Sequence, residues 1–514
     1  MNNRFGLKEH CITDIVTVLK LQPEVEEAII FGSRAMGTYK NGSDIDIALK
    51  GEKITFDTIS TLRLRLDELP YLYMYDIIDY KKISNPAVTA HIDELGITFY
   101  KKQIMPSEWK TYKLGEIADD IAMGPFGSNL KVDNFIESGV PVIRGMNLND
   151  GGFTNDSFAF VSEEKANSLK RCLAYPDDLV FTHRGTLGQV GIIPFNQYPK
   201  YLVSQSQMRL SVNKNYLLPK YLYYFFKSPF GQRELLKNAS QVGVPAIANP
   251  TKSLKQVEIT APSLPTQRQI AQILSSLDDK IELNLQMNKT LEAMAQAIFK
   301  EWFVNFNFPG SDGELVDGLP KGWRKVNLTD LLSTISVTHK FPKGEAIFLN
   351  TSDILDGKFL HRNFSSKESL PGQAKKTIQK GDILFTEIRP ANRRYAFVDF
   401  DADDYVVSTK LMVLRSKGLI DNLVIYYFMK SDEVLQQLQS LAESRSGTFP
   451  QITYDELAKV SMVIADLNTQ MAYADFLSSV FGKVRENEKQ IEYLTQLRDT
   501  LLPKLMSGQL EVKK

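Results

Sequence analysis

The sequence predicts an α+β protein of several domains: a small N-terminal α/β domain, then two mixed α/β domains joined by two long helices. Three observations predict this organisation. The 514 residues exceed what one hydrophobic core normally holds. The region after residue 107 contains the same sequence pattern twice, and each copy ends in a long stretch with helical periodicity. The first hundred residues contain short apolar runs separated by Gly and polar residues.

Composition indicates a globular protein that does not span a membrane. Hydrophobic residues make up 43% of the chain, and no apolar stretch reaches the roughly 18 residues that a membrane helix needs. Only two cysteines occur, Cys11 and Cys172, so we expect neither a disulfide framework nor a cysteine zinc site, and we expect a reducing, cytoplasmic location. The formal net charge is zero. The two repeated regions are each slightly basic, which is compatible with a nucleic-acid partner.

An internal repeat of about two hundred residues organises the chain after residue 107. Six stretches recur in the same order, so a whole unit has been duplicated, and a period this long indicates duplicated domains rather than a solenoid. The paired stretches are 108–119 and 322–333, 177–193 and 381–398, 201–212 and 405–416, 221–228 and 424–431, 243–259 and 447–463, and 266–281 and 469–484.

Each copy begins with a mixed α/β region and ends with a helix. The first part contains short runs rich in β-branched and aromatic residues, punctuated by Gly and Pro, which predict strands. We therefore divide the chain into an N-terminal domain, two mixed α/β domains and two helices, with a short junction at 103–107. The predicted bounds are 1–104, 107–262 and 320–464 for the domains, and 263–305 and 466–508 for the helices.

The two helices carry a heptad pattern, because apolar residues recur at alternating steps of four and three. This pattern favours a coiled coil that joins the two halves, in which a polar Asn at matching places (Asn284 and Asn487) fixes the register. The alternative is that each helix packs only on its own domain. The predicted seam residues are Ile270, Leu274, Leu277, Ile281, Asn284, Asn288, Leu291, Ala295 and Ile298 in the first helix, and Tyr473, Leu477, Val480, Val484, Asn487, Ile491, Leu494, Arg498 and Leu501 in the second.

These features resemble the DNA-specificity subunit of type I restriction–modification systems over residues 107–514. The resemblance is carried by the order and duplication of several short motifs: 109–117, 139–145, 204–207, 262–270 and 501–508. It implies two target-recognition domains held by an antiparallel coiled coil. A coiled coil of roughly 33 residues is about 50 Å long, which suits a bipartite target on double-stranded DNA with two unlike half-sites.

The same resemblance implies partner subunits. Specificity subunits of this family assemble with two methyltransferase subunits and, for cleavage, with ATP-dependent restriction subunits. The specificity subunit itself has no catalytic centre in this family, and residues 107–514 contain no recognisable methyltransferase or ATP-binding motif.

Physical chemistry alone selects candidate DNA contacts, because recognition domains of this family diverge to read different sequences. Arg, Asn and Gln side chains contact base edges, whereas Lys mostly contacts phosphate. A solvent-exposed role without DNA is the alternative for each residue. The candidates lie in Gly- or Pro-punctuated loops or at strand ends: Arg144, His183, Arg184, Gln205 and Gln207 in the first copy, and Arg389, Asn392, Arg393, Arg394 and Lys410 in the second.

The N-terminal domain carries a different motif. An apolar strand at 28–31 leads into Gly32-Ser33, and a second strand carries Asp44 and Asp46. Because side chains alternate along a strand, these two carboxylates share a face. Carboxylate oxygens are ligands that Mg²⁺ prefers, and a Gly-Ser turn presents backbone N–H groups and a hydroxyl to phosphates. A third predicted strand, 75–79, supplies Asp76, with Asp79 as its rival.

This Gly-Ser…Asp-x-Asp arrangement resembles the minimal nucleotidyltransferases found among antitoxins, over residues 8–102. The resemblance implies that Gly32 and Ser33 bind an NTP, that Asp44 and Asp46 bind Mg²⁺, and that Asp76 is the catalytic carboxylate that activates the acceptor. The sequence departs from the family at Met36, where a basic residue is common. The sequence therefore supports two functions: DNA specificity for the larger part, and metal-dependent nucleotidyl transfer to an RNA or protein hydroxyl for the N-terminal domain.

Overall fold

A computed structural model of the chain describes residues 4–40, 42–102, 108–149, 152–154, 157–195, 197–240, 243–445 and 447–512. The predicted junction at 103–107 lies outside the described residues. The chain divides into two compact units, one formed by Met1–Leu274 with Asp499–Lys514, the other by Ser275–Arg498. No helix in the described ranges is both long and apolar enough to cross a membrane. Both cysteines are buried as free thiols.

The N-terminal domain is a four-stranded sheet with helices packed against it. Its strand order is β3-β2-β1-β4, in which β2 and β3 are parallel and β1 is antiparallel to both β2 and β4. Strand β2 is the most deeply buried because Ile45, Ile47 and Leu49 enter the core with no exposed surface. The elements are α1 (Glu9–Lys20), β1 (Glu27–Ile30), α2 (Gly32–Met36), β2 (Ile45–Lys50), α3 (Phe56–Asp67), β3 (Tyr75–Asp79), α4 (Pro86–Leu95) and β4 (Ile97–Lys101).

The first copy of the repeat forms two four-stranded sheets, with strand orders β13-β12-β15-β6 and β10-β7-β14-β11. Its elements are β5 (Lys110–Lys113), α5 (Leu114–Ile117), β6 (Ala118–Met123), β7 (Val140–Ile143), β8 (Leu148–Asn149), β9 (Gly152–Phe153), β10 (Ala159–Val161), α6 (Glu163–Ser168), β11 (Leu173–Ala174), β12 (Leu179–Thr182), β13 (Val190–Ile192), β14 (Tyr201–Val203), β15 (Gln207–Val212), α7 (Pro219–Lys227), α8 (Pro229–Leu236), β16 (Ala239–Ser240), β17 (Ala246–Ile247), α9 (Pro250–Lys255), β18 (Glu258–Ala261) and α10 (Leu264–Phe303).

The second copy repeats this plan, with strand orders β22-β31-β28-β29 and β26-β23-β30-β27. Its elements are β19 (Leu315–Val316), β20 (Leu319–Pro320), β21 (Arg324–Asn327), α11 (Leu328–Leu331), β22 (Leu332–Thr334), β23 (Glu345–Leu349), β24 (Ile354–Leu355), β25 (Lys358–Phe359), β26 (Phe364–Ser366), β27 (Ala374–Thr377), β28 (Ile383–Thr386), β29 (Tyr395–Phe397), β30 (Tyr405–Ser408), β31 (Leu411–Ser416), α12 (Asn422–Met429), α13 (Asp432–Arg445), β32 (Ser461–Ile464) and α14 (Leu467–Met506).

The duplication extends to residue-level strand register. Phe181 of β12 lies opposite Met208 of β15, and Phe385 of β28 lies opposite Met412 of β31. In each copy the second sheet contains a single parallel pair, β7 with β14 and β23 with β30, among the described strands. The predicted duplication of whole mixed α/β domains is therefore confirmed.

A buried ion pair anchors the same strands in both copies. Asp382 precedes β28 and is fully buried, and its carboxylate accepts hydrogen bonds from Nε and Nη2 of Arg415 at 2.7 and 2.9 Å. In the first copy, Asp178 lies 4.0 Å from Arg209, and burial raises the pKa of Asp178. Each pair ties the start of one strand to its antiparallel neighbour, so the sheet that carries the following loop is fixed at its other end.

The two long helices, α10 and α14, pack antiparallel, as predicted. Along the part within 275–498, higher residue numbers on α10 face lower numbers on α14: Arg498 contacts Asp278 at 2.8 Å, and Tyr473 donates to the carbonyl oxygen of Ala295 at 3.0 Å. All predicted seam residues in this part are buried or half-buried. The alternative, packing on each helix's own domain alone, is wrong, although Ala295 and Tyr473 also join the core of the second copy.

Asparagines occupy the middle of this seam. Asn284 and Asn487 are each only 1% exposed. The Nδ2 of Asn487 donates to Oδ1 of Asn288 at 2.8 Å, and the Nδ2 of Asn284 donates to Oε1 of Gln490 at 3.2 Å. A shift of one helix along the other would leave these buried amides without partners, and unsatisfied buried polar groups are costly. The asparagines therefore favour a single register.

Candidate functional site

Three loops converge at one end of the first-copy sheet. The turn after β12 (183–189) pairs with the turn after β14 (204–206), since the amide of His183 donates to the carbonyl of Ser206 at 3.0 Å. The loop at 243–247 joins them, since the amide of Ile247 donates to the carbonyl of His183 at 2.9 Å. We call these three segments the first three-loop edge.

The second copy builds the same edge from 387–394, 409–410 and 447–452. The amide of Glu387 donates to the carbonyl of Lys410 at 3.1 Å, and the amide of Ile452 donates to the carbonyl of Glu387 at 2.8 Å. These bonds match those of the first copy one for one. We call these segments the second three-loop edge.

The candidate DNA contacts of the first copy divide by exposure. Arg184 and Gln205 are exposed on the first three-loop edge. Arg144 is half-buried at a separate turn, where Nη2 donates to the carbonyl of Ser157 at 3.0 Å. The structure therefore brings Arg184 and Gln205 together and leaves Arg144 in another loop.

Two other candidates of the first copy are buried. His183 is 6% exposed, its Nε2 lies 3.1 Å from the carbonyl of Gln205, and burial lowers the pKa of the imidazole. Gln207 has no exposed surface, and its side chain contacts the hydroxyls of Ser204 and Thr182. Both side chains brace the turns of the edge from below, so neither reaches solvent in this conformation.

The second copy shows a similar division. Arg389, Asn392 and Lys410 are exposed on the second three-loop edge. Arg393 forms ion pairs with Asp432 and, at 3.9 Å, with Asp356. The remaining candidate, Arg394, is half-buried, and its Nη1 donates to two main-chain carbonyls, those of Ser352 and Ile354, at 3.0 Å each.

Lys376 is a residue of this region that sequence reasoning missed. Its Nζ donates to the carbonyls of Thr409 and Leu411, at 3.0 and 2.8 Å, and so holds both sides of Lys410. Burial lowers the pKa of Lys376. No local pattern marks this lysine, because its partners lie more than thirty residues away, in the turn after β30 and at the first residue of β31.

The N-terminal domain brings its carboxylates to one end of its sheet. Asp46 of β2 and Asp76 of β3 are register partners on the parallel pair. Asp44 directly precedes β2, two residues from Asp46. Burial raises the pKa of Asp46, and the neighbouring Asp76 and Asp44 raise it further, against opposing effects of Arg34 and His91. Asp44 and Asp76 therefore both lie close enough to Asp46 to disfavour its ionised form.

Gly32 and Arg34 explain how the chain supports this cluster. Gly32 has a φ of +69°, and a β-carbon there would overlap Oδ2 of Asp46. Arg34 is 3% exposed, and its guanidinium donates to the carbonyls of Phe5, Ser43 and Asp44 at 2.5–3.1 Å. Arg34 thus fixes the loop that carries Asp44. The sequence pattern alone assigned this arginine no role.

The two rival carboxylates of β3 have different surroundings. Asp79 is 7% exposed and accepts from the amide of Lys81 at 3.1 Å, which caps the following turn. Asp76 is exposed and lies 3.7 Å from Arg63. Asp79 therefore has a structural role, and Asp76 is the carboxylate available beside Asp46.

Ser33 follows Gly32 in the first turn of α2 and is half-buried. Its carbonyl accepts from the amide of Thr38 at 3.0 Å. Within the described residues, no group of three or more His, Cys, Asp or Glu side chains stands in a metal-binding arrangement. The donor set of carboxylates nevertheless fits a hard cation such as Mg²⁺, and the absence of a side chain at Gly32 leaves room for the carboxylate of Asp46.

Comparison with known proteins identifies the class. Residues 106–293 and 320–496 match the model of the type I restriction modification DNA specificity domain, and residues 13–104 match that of the polymerase beta nucleotidyltransferases. The chain therefore belongs to the type I restriction–modification DNA-specificity family and carries an N-terminal nucleotidyltransferase domain.

Individual specificity subunits are also similar to this chain. The chain is 41% identical over 181 residues to the specificity subunit of the type I restriction enzyme HindI from Haemophilus influenzae, covering 35% of this chain and 39% of that protein. It is 25% identical over 434 residues to the MjaIX specificity subunit from Methanocaldococcus jannaschii, covering 80% and 95%. A crystal structure of a type I S subunit from M. genitalium matches with a TM-score of 0.51 at 14% identity, covering 79% and 97%, which supports the fold.

Proposed function

We propose that each half of residues 108–512 reads one half of a bipartite DNA target, and that the reading surface is the three-loop edge. The observation that carries this proposal is the repeated arrangement of three loops fixed by the same main-chain bonds, with exposed Arg, Asn, Gln or Lys at their tips. Such side chains make bidentate contacts with base edges or contact phosphates.

The two edges present different side chains, so the two half-sites should differ. The first edge exposes Arg184 and Gln205, whereas the second exposes Arg389, Asn392 and Lys410. Of the residues proposed from sequence, His183, Gln207 and Arg394 are assigned to holding these loops in place. The other candidates, Arg144 and Arg393, are assigned to contacts outside the tips of the edges.

The partners follow from membership of the family. We infer that the chain assembles on double-stranded DNA with methyltransferase subunits, two of them, and with restriction subunits for cleavage. In this arrangement the chain selects the target and the partner subunits modify or cut it. We place this assembly in the cytoplasm.

The test is to express the chain with a methyltransferase subunit and to map methylated bases across the genome. We expect a bipartite motif that depends on the chain.

The pair Arg389→Ala and Asn392→Ala should relax one half of the motif and leave the other intact. Each lost bidentate contact reduces discrimination by about 1–3 kcal/mol. A matched control is Lys358→Ala, an exposed residue of the same copy outside the edge. A motif unchanged by the pair would refute the assignment of the second edge.

A second function, nucleotidyl transfer by the N-terminal domain, is favoured by the cluster of Asp44, Asp46 and Asp76. We infer that Asp44 and Asp46 would hold Mg²⁺, and that Gly32 and Ser33 would receive the phosphates of an NTP. When bound, the metal would neutralise charge on the phosphates. The close approach of the Asp46 carboxylate to Gly32 and the proximity of Asp44 and Asp76 to Asp46 support this assignment.

The chain's own residues have distinct tasks in this reaction. Asp76 takes the proton of the acceptor hydroxyl, whose oxygen forms a bond to the α-phosphorus while the bond to the bridging oxygen breaks and pyrophosphate leaves. Gly32 lets the carboxylate of Asp46 lie against the turn that would receive the phosphates. Arg34 holds the Asp44 loop and so fixes the spacing of the two aspartates at 44 and 46.

Transfer is tested by incubating the full chain with Mg²⁺, an NTP labelled at the α-phosphate, and total RNA or protein as acceptors. Asp44→Ala and Asp46→Ala should abolish labelling. Glu94→Ala, an exposed carboxylate of the same domain away from the cluster, is the control and should retain it. Labelling that survives both aspartate variants would exclude this function.

A further inference from the structure

A cavity of about 590 Å³ opens in the N-terminal domain at the loop that leads to the carboxylates. Basic and aromatic side chains dominate its lining. The lining residues that matter here are Lys8, Arg34, Lys40, Tyr39, Tyr71 and Tyr73. The cavity has no role in the functions proposed so far.

The cavity and the carboxylate cluster share a wall. Arg34 lines the cavity and donates from Nε to the carbonyl of Asp44 at 3.0 Å. The turn before Asp44 is also tied to the cavity, since the amide of Lys40 donates to Oγ of Ser43 at 2.9 Å. A molecule in the cavity therefore lies against the same loop that positions the aspartate.

The chemistry of the lining selects an anionic ligand with flat rings. Lys8 and Lys40 are exposed cations, and Tyr39, Tyr71 and Tyr73 are half-buried in the lining. The guanidinium of Arg34 lies 5.0 Å from the ring centre of Tyr73. Among the described lining residues there is no carboxylate. Cations that follow a backbone, together with aromatic faces on which bases stack, are the combination by which proteins bind single-stranded nucleic acids.

We propose that this cavity binds the end of a single-stranded nucleic acid and presents its terminal hydroxyl as the acceptor of nucleotidyl transfer. The inference rests on the nucleotidyl transfer proposed above and names its acceptor. The terminal hydroxyl oxygen forms the new bond to the α-phosphorus of the NTP, pyrophosphate leaves, and the proton passes to Asp76. A base stacks on Tyr71 or Tyr39, while Lys8 and Lys40 contact the phosphates behind it.

Photocrosslinking locates the nucleic acid without requiring transfer. The full chain is irradiated with a single-stranded RNA oligonucleotide that carries 5-iodouridine near its 3′ end, and crosslinked peptides are identified by mass spectrometry. We expect crosslinks at Tyr71 or Tyr39. Crosslinks confined to 108–512, where the DNA-reading domains lie, would overturn the proposal.

Charge reversal separates the acceptor from the incoming nucleotide. The double variant Lys8→Glu/Lys40→Glu should weaken binding of the oligonucleotide at least tenfold and reduce the salt dependence of its binding by about 1.4 in log–log slope, because two phosphate contacts are lost. Binding of Mg²⁺ with a non-hydrolysable NTP should not change. The control is Lys53→Glu/Lys101→Glu, which reverses two exposed lysines outside the cavity and should leave both affinities unchanged.

Three results would overturn the inference. Equal loss of NTP and RNA binding in the cavity variant would assign the cavity to the incoming nucleotide. Unchanged RNA binding would remove the cavity from recognition. Label that the wild-type chain transfers to protein and not to RNA would identify a protein acceptor.

A fourth result separates this inference from the proposed function. If the wild-type chain transfers no label at all while RNA still crosslinks at Tyr71, transfer fails as a function and the cavity remains a nucleic-acid site.

Discussion

The α-carbon of Gly32 faces the carboxylate of Asp46 so closely that a β-carbon at this position would overlap Oδ2. The backbone there also has a φ of +69°, which residues with side chains rarely adopt. Position 32 thus requires glycine for two separate reasons, one of which concerns the candidate site directly.

Substitution of Gly32 should affect both stability and the site. We expect Gly32→Ala to destabilise the domain by more than the about 1–2 kcal/mol that a left-handed conformation costs. Gly37→Ala is a matched control, because Gly37 has a φ of +73° with no atom within 4 Å of the added carbon. Urea unfolding should show the larger loss for Gly32→Ala, and nucleotidyl transfer should fall in that variant alone. Equal effects of the two substitutions would mean that contact with Asp46 is unimportant.

Asp46→Asn should stabilise the N-terminal domain at neutral pH. The pKa of Asp46 is raised by burial and by Asp76 and Asp44, so the folded state binds this proton more tightly than the unfolded state. Stability contributed by the protonated form is therefore lost as pH rises through the raised pKa. The asparagine variant should melt at a higher temperature than wild type at pH 7, and the difference should shrink as the pH falls below the ordinary range of an aspartate. If the difference in melting temperature between the variant and wild type grew toward low pH, the predicted direction of the pH dependence would be wrong.

The same raised pKa sets an expected pH dependence of nucleotidyl transfer. Protonation of Asp46 removes a metal ligand, so activity should decline on acidification at a higher pH than an ordinary aspartate would give. Initial rates measured between pH 5 and 8 at Mg²⁺ concentrations below saturation, where the proton competes with the metal for Asp46, would test this. Decline only below the ordinary aspartate range would argue against Asp46 as the titrating group.

Replacement of Arg34 should loosen the Asp44 loop. Arg34→Met removes hydrogen bonds to three main-chain carbonyls, one buried and two partly buried, and leaves them without these donors, which we expect to cost about 2–4 kcal/mol. Urea unfolding measures the loss. Arg63→Met serves as control, because the ion pair of Arg63 with Asp76 is exposed and long at 3.7 Å. Comparable losses in the two variants would refute the clamp assigned to Arg34.

The asparagines of the long helices should act as a pair. Asn487→Leu alone leaves Oδ1 of Asn288 without its donor and should destabilise the chain by about 1–3 kcal/mol. The double variant Asn288→Leu/Asn487→Leu should recover this stability, because apolar residues at both seam positions pack well, but it should lose register specificity. Thermal unfolding measures the first effect. Disulfide trapping between cysteines introduced at 278 and 498, which face each other outside the asparagine cluster, reports the register. A single trapped register in the double variant would contradict the predicted loss of register specificity.

Lys376→Met should disturb DNA reading by one half only. The buried amine holds the carbonyls on both sides of Lys410, and methionine fills similar volume without donating hydrogen bonds. We expect reduced base discrimination in the half-site read by the second edge and unchanged discrimination in the other half-site. Methylation mapping measures both. Loss of both half-sites together would indicate a general folding defect instead.

Elements with strong periodicity were predictable from the sequence. The strand predicted at 75–79 has those bounds in the structure, and the heptad seam of the long helices is buried along the part within 275–498. Both succeed because burial of alternate or heptad-spaced apolar residues leaves a local signature. The duplication was equally visible, since order and spacing recur over two whole domains.

Contacts between distant segments were not predictable in the same way. Gln207 has the residue type of a base reader, yet Thr182 and Ser204 satisfy its amide inside the fold. The guanidinium of Arg394 is likewise occupied by carbonyls forty residues away. Composition and spacing report which groups can form hydrogen bonds, whereas the fold decides which of them are already used.

The three-loop edges are held by main-chain amides and carbonyls, such as the bond from His183 to Ser206 and its counterpart from Glu387 to Lys410. Bonds of this kind do not depend on which side chains the loop tips carry. Mutations at the tips can therefore accumulate without unfolding the sheets below them. Changes in recognition are thus separated from changes in stability. One half of the chain can acquire a new recognition sequence while the other half retains its existing one.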